Sequence, residues 1–128
     1  MSNVPGEFRY SEDHEWVAFD GESGIATIGI TDYAQGELGD VVFLELPQVG
    51  ATVAKGDSAG TIEAVKTVAD LFAPFSGEIT EVNTALDDRP ELVNADPYGE
   101  GWMIRLRVDD RSAIDGLLDA DAYQQHIG

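Results

Sequence analysis

Gly60-Thr61-Ile62-Glu63-Ala64-Val65-Lys66-Thr67-Val68-Ala69-Asp70-Leu71-Phe72-Ala73-Pro74 is a pair of β-prone runs with a lysine at its centre and few turn formers to spare. Two such runs so close together predict a tight hairpin over about 61–72, with Lys66 projecting from its tip. An amine held out in that way is a chemical handle. Lys66 is also one of only two lysines in the chain, so its place between two strands is not an accident of a lysine-rich surface.

Outward from the hairpin, Ala73-Pro74-Phe75-Ser76-Gly77-Glu78-Ile79 reads as a turn into another strand. Val49 to Asp57 reads as strand, loop and glycine turn. Glu15–Phe19 and Ile25–Ile30 are β-prone runs joined by Asp20-Gly21-Glu22-Ser23-Gly24, which predicts a second hairpin. Thr31 is a candidate N-cap for a short helix through Leu38, stopped by Gly39. Val41–Leu46, closed by Pro47, is expected to be a strand largely buried on both faces. Late in the chain Trp102, Ile104, Leu106 and Val108 alternate with Met103, Arg105 and Arg107, which predicts one core face and one solvent face. Asp87–Asn94 is expected to hold a single turn. Ser112 and Asp119 are candidate caps for C-terminal helices over about 112–127.

Many short strands punctuated by Gly and Pro, with helices at the C-terminal end, predict an all-β barrel or sandwich with short helices. A length of 128 residues with 43% apolar side chains predicts one domain, 1–128, around one core. No apolar run reaches the length of a membrane span, and residues 1–10 lack the basic start and apolar stretch of a signal peptide; the expected compartment is the cytoplasm. Cysteine is absent, so disulfides, thiolate metal sites and a cysteine nucleophile are excluded and any sulfur chemistry must arrive on a cofactor. Seven basic against 25 acidic residues give a net charge of -18. Such a balance repels nucleic acid and anionic membrane and suits partners with basic docking surfaces.

The lysine hairpin and its flanking turns resemble the lipoyl and biotinyl carrier domains, in which a hairpin-tip lysine is acylated by the cofactor. Tyr10-Ser11-Glu12-Asp13-His14-Glu15-Trp16-Val17, Ile28–Gln35, Leu38–Pro47, Glu81-Val82-Asn83, Pro90–Asn94 and Asp96–Ile104 are similar, in the same order, to the glycine cleavage H-protein family. The resemblance covers nearly the whole chain. It implies a barrel-sandwich hybrid with a helical C-terminal end and a covalent lipoate on Lys66. The implied role is that of a carrier without a catalytic site of its own. It accepts the aminomethyl group of glycine from a pyridoxal-phosphate glycine decarboxylase and passes the methylene to tetrahydrofolate at an aminomethyltransferase. A dihydrolipoyl dehydrogenase then reoxidises the arm. A lipoylating enzyme is a further implied partner, recognising Glu63, Gly50 and Gly77 by their spacing from Lys66. Glu15 and Asp70 fall where the family supplies acids to a cleft that shelters the loaded arm, and Asp13 falls beside them where some relatives carry a hydroxyl residue.

Other readings remain beside this one. Biotin would make the chain a carboxyl carrier, but biotinyl domains resemble Met-Lys-Met at the tip and this chain has Val65-Lys66-Thr67, which favours lipoate. A relay that donates lipoyl groups to other carriers would use the same lysine. Gly56-Asp57-Ser58-Ala59-Gly60 matches the Gly-x-Ser-x-Gly nucleophile pattern. That elbow requires a strand-to-helix turn, and β-prone residues follow here. Both glycines at 50 and 77 are also explained by turns needing positive φ. Lys55 reads as a solvent-exposed turn residue. His14 reads as a packed histidine, since only His126 could join it and no metal site is expected. Trp16 and Trp102 read as core or cleft-wall aromatics. The high acidity and the excess of arginine over lysine suggest a halophile.

Overall fold

The computed structural model describes residues 3–127. Two antiparallel sheets face each other. The larger contains, in spatial order, β1 (Arg9–Tyr10), β2 (Glu15–Asp20), β3 (Ile25–Ile30), β9 (Ile104–Val108), β8 (Gly77–Val82) and β5 (Thr52–Val53). The smaller contains β4 (Val41–Glu45), β6 (Ser58–Ala64) and β7 (Val68–Phe72). Short helices fill the connections: α1 (Asp32–Leu38), α2 (Ala85–Asp88), α3 (Leu92–Ala95), α4 (Ser112–Asp115) and α5 (Ala120–Ile127). The architecture is a barrel-sandwich hybrid, all-β with short helices.

Alternation places the core between the sheets. Ile28 of β3, Ile62 of β6, Leu71 of β7, Ile79 of β8 and Ile104 and Leu106 of β9 are all buried and belong to one apolar cluster. Each contributes roughly 1.5–3 kcal/mol by leaving water. A second cluster fastens the C-terminal end: Tyr123 of α5 stacks on Tyr10 of β1 with ring centroids 4.7 Å apart, beside buried Trp16. The indole Nε1 of Trp16 donates to the Pro97 carbonyl at 2.8 Å. Trp102, by contrast, is only partly covered and lies beneath the Arg105 guanidinium, 4.1 Å from its ring centre.

The caps of α1 follow from its sequence. Thr31 Oγ1 accepts from the Ala34 N–H, and the Gly39 N–H closes the helix on the Gln35 carbonyl. Asp119 caps α5 through the Ala122 N–H at 2.8 Å.

Four local expectations are corrected. Val41–Leu46 is not buried on both faces: Val41 and Leu44 turn inward, but Val42 and Phe43 are exposed. β4 is an edge strand with a register shift between Val41 and Phe43, and among the described residues none buries Val42 or Phe43 on the sheet's outer face. The late alternation breaks at Met103, which is buried, because β9 begins only at Ile104 and the Met103 N–H bonds instead to the Ile28 carbonyl. Ser112 does not cap α4; it is the first helical residue, and Asp110 Oδ1 accepts from its N–H and its hydroxyl. Asp87–Asn94 contributes to two one-turn helices, α2 and α3, rather than holding one turn.

Candidate functional site

β6 and β7 pair with Glu63 opposite Val68 and Ile62 opposite Ala69, leaving Val65-Lys66-Thr67 as the connection. The Ala64 N–H closes it on the Thr67 carbonyl at 2.8 Å. The Val65 N–H donates to the Asp40 carbonyl at 3.0 Å, so the tip is pinned to the segment that enters β4. Lys66 is exposed, and its side chain passes over Gly39: a Cβ there would stand 3.1 Å from Lys66 Cε. Asn94 of α3 holds that segment by donating to the Gly39 carbonyl and the Gln35 side chain while accepting from the Val41 N–H.

Next to Gly39, a cleft of about 290 Å³ opens between α1, the β1–β2 turn and the hairpin. Ile30, Leu38, Ile62 and Ala69 give it apolar walls, and Tyr33, Ala34 and Glu37 of α1 line its other side. Asp13, Glu15 and Asp70 all line it, together with His14. Three acids separated by up to 57 positions are therefore gathered around one apolar cavity. Leu38 of its wall directly precedes Gly39, over which the Lys66 side chain lies.

The three acids differ in environment. Asp13 is exposed; Asp70 is exposed and accepts from the Ser58 hydroxyl at 3.3 Å. Glu15 is 1% exposed, and its Oε1 accepts from the Ser11 hydroxyl at 2.6 Å. Burial, opposed by that hydrogen bond, reinforced by Asp13 and opposed again by a hydrogen bond from the Phe72 backbone, pushes its pKa up to about 8. No lysine or arginine is paired with it among the described residues. Glu15 is consequently mostly neutral at pH 7, and a cation brought into the cleft would favour its ionisation. Burial and the nearby His126 lower the pKa of His14, while Glu37, by charge and hydrogen bond, raises that of Tyr33.

Glu63 is exposed on β6, with Phe43, Glu45, Thr61 and Val68 around an open groove on the outer face of the small sheet. Gly50 and Gly77 lie apart from the hairpin, at the β5–β8 pairing of the large sheet, where the Gly50 N–H donates to the Ile79 carbonyl. Gly50 has φ 95, as a turn requires. Gly77 does not have positive φ; its requirement is contact, since a Cβ there would overlap the Arg107 carbonyl oxygen. Lys55 is exposed. Ser58 begins β6 and bonds to Asp70 and the Gly60 carbonyl, so its motif sits in a hairpin strand and makes no strand-to-helix elbow. Among the described residues, no group of three or more His, Asp or Glu side chains could hold a metal ion.

Sequence reasoning missed Ser11, the α1 pair Tyr33 and Glu37, Asn94, and Tyr123, whose hydroxyl meets His14 and Thr31. Only Ser11 carried a local signal, its place four residues before Glu15 in a polar turn.

The family model described as "Glycine cleavage H-protein" matches residues 8–128. A glycine cleavage system H protein from Marinobacter nauticus is 49% identical over 127 residues, covering 99% of this chain and 97% of that protein. One from Chlorobium phaeovibrioides is 55% identical over 126 residues, covering 98% of each. The crystal structure of a glycine cleavage system H protein from Mycobacterium marinum superposes with TM-score 0.89 at 43% identity, covering 98% of this chain and 99% of that one.

Proposed function

The chain belongs to the glycine cleavage H-protein family, and from that premise we propose that Lys66 is the residue acylated by lipoate. The protein is a lipoyl carrier of the glycine cleavage system. Proteins of this family carry lipoate covalently on a lysine, and the lysine at the tip of the β6–β7 hairpin is the one whose setting suits an enzyme that must enclose it. The observation that carries the reading is the adjacency of this exposed amine to an apolar cleft with an acidic lining.

The residues present fit the group. Ile30, Leu38, Ile62 and Ala69 offer apolar contact to a hydrocarbon and disulfide ring, and Glu15, Asp13 and Asp70 offer acceptors to an amine. The lipoyl disulfide supplies the reversible sulfur chemistry that takes up and gives up the aminomethyl fragment. The chain's own work is to hold and shelter. Glu15 receives the cargo amine as a charge-assisted partner, with Asp70 and Asp13 adding negative potential at the rim. The apolar walls keep water from the cargo carbon.

The protein has no catalytic site of its own and serves as one unit, 1–128. Its partners are the glycine decarboxylase, the aminomethyltransferase, the dihydrolipoyl dehydrogenase and a lipoylating enzyme. Glu63 faces the lipoylating enzyme beside Lys66, whereas Gly50 and Gly77 act at a distance by shaping the β5–β8 edge. Tethering the fragment turns each encounter into a positioned event, and the acidic surface speeds docking on basic partner surfaces. We place the carrier in the cytoplasm of a halophile, on the -18 charge. The test is glycine-dependent exchange of labelled carbon dioxide with a glycine decarboxylase: the lipoylated protein supports it and Lys66→Arg does not. Lipoylation without exchange would favour a relay and overturn the proposal.

A further inference from the structure

The Tyr123 hydroxyl, buried on α5, lies 2.7 Å from Thr31 Oγ1 and 2.8 Å from His14 Nδ1. Those two partners belong to two segments that contribute to the cleft. Thr31 caps α1, which supplies Tyr33, Ala34, Glu37 and Leu38; His14 stands between Asp13 and Glu15 in the β1–β2 turn. His14 is also the only described non-glycine residue with positive φ, at 71°. That conformation is rare for a residue with a Cβ and persists only where surrounding contacts enforce it. Here they are the His14 N–H to the Ser11 carbonyl, the Thr31 N–H to the His14 carbonyl and the side-chain bond to Tyr123.

The direction of the hydrogen bonds follows from donor supply. Thr31 Oγ1 already accepts from the Ala34 N–H, and Tyr123 is the only described acceptor within reach of its proton. The arrangement that gives every hydroxyl proton an acceptor has Thr31 donating to Tyr123 and Tyr123 donating to His14 Nδ1. In that arrangement the imidazole carries its proton on Nε2. The Tyr123 ring itself is held by its stack on Tyr10.

Resting on the carrier reading above, we propose that Tyr123 is a positioning residue for the cargo cleft. Its hydroxyl clamps the β1–β2 turn to the start of α1, sets the His14 tautomer and thereby fixes the spacing between Glu15 and the helical wall. The C-terminal helix thus acts on the cargo without touching it.

Tyr123→Phe retains the ring and its stack and removes only the hydroxyl's bonds to Thr31 and His14, leaving the Thr31 N–H to His14 carbonyl bond in place. Tyr10→Phe is the control: its hydroxyl donates to the Pro5 carbonyl, and neither residue lines the cleft. Nitrogen-15 NMR of His14 in the unmodified wild type should show the Nε2–H tautomer, and Tyr123→Phe should lose that single tautomer while Tyr10→Phe keeps it. Formaldehyde and ammonia loss from the methylamine-loaded carrier should rise roughly fivefold in Tyr123→Phe, the scale of one ordinary net hydrogen bond, and stay at the wild-type rate in Tyr10→Phe. A wild-type Nδ1–H tautomer overturns the proposal even if the variant does not fold. So does a release rate in Tyr123→Phe equal to that of Tyr10→Phe. Failure of the carrier reading is seen separately, as absence of lipoyl on the wild type, because the tautomer is read on unmodified protein.

Discussion

Replacing Glu15 by glutamine should free the protein from a penalty that grows with pH. Unfolded, this carboxyl ionises near 4.5; folded, burial holds its proton to about 8. A raised carboxyl pKa means that the native state binds the proton more tightly than the unfolded chain. The associated stability is whole below pH 4.5 and is lost as pH climbs through 8. The loss amounts to about 3 kcal/mol by pH 7 and about 5 kcal/mol by pH 9, at roughly 1.4 kcal/mol for each pH step between the two values. The amide in Glu15→Gln cannot ionise, and its carbonyl can still accept from Ser11. Urea unfolding of both proteins at pH 4.5, 7 and 9 in one salt concentration cancels the titration of the other acids in the difference. The variant should gain on the wild type by those amounts, or roughly 10 °C in Tm at pH 7 for a domain of this size. A difference that stays flat from pH 4.5 to 9 would refute the claim that Glu15 is a buried, uncompensated carboxyl.

The double amide variant Glu15→Gln with Asp70→Asn should shorten the life of the methylamine-loaded carrier more than it lowers lipoylation, read as formaldehyde and ammonia release; unchanged release would remove the sheltering role. Gly77→Ala should cost several kcal/mol, because the new Cβ would collide with a backbone carbonyl oxygen, whereas Gly36→Ala on the open face of α1 should gain up to about 1 kcal/mol of helix propensity. Denaturation midpoints in urea separate the two, and a mild Gly77 variant would contradict the contact argument. The 25 acids over 6590 Å² lie about 16 Å apart, beyond the Debye length of about 10 Å at 0.1 M salt and within the roughly 30 Å at 0.01 M. The Tm should therefore rise substantially between about 0.01 M and about 1 M potassium chloride. A flat Tm would withdraw the halophile reading.

The hairpin was legible because its information is local: two β-prone runs, a short connection and a lysine between them. The caps Thr31 and Asp119 were legible for the same reason. Met103 and the exposed Val42 and Phe43 were not, because burial depends on where β9 begins and on whether another layer covers β4. The cleft lies further from sequence logic. Asp13 and Glu15 are neighbours in the chain, but Asp70 joins them only through the fold, and these acids were picked out by resemblance rather than by pattern. Tyr123 could not have been found at all: 92 residues separate it from Thr31, and a tyrosine on a short amphipathic helix reads as core. Gly77 shows a subtler limit. A glycine signals either positive φ or close approach, and only the neighbouring strand reveals that here it is the approach of the Arg107 carbonyl.

Peptide mass mapping of the protein expressed in a lipoylating host tests most directly whether the amine at the hairpin tip is the attachment point. A lipoyl adduct is expected only on the peptide containing Lys66, absent from Lys66→Arg and unaffected by Lys55→Arg, with the variants folded as the wild type. A lipoyl adduct on Lys55, a biotinyl adduct on Lys66, or an adduct that survives in Lys66→Arg would contradict it.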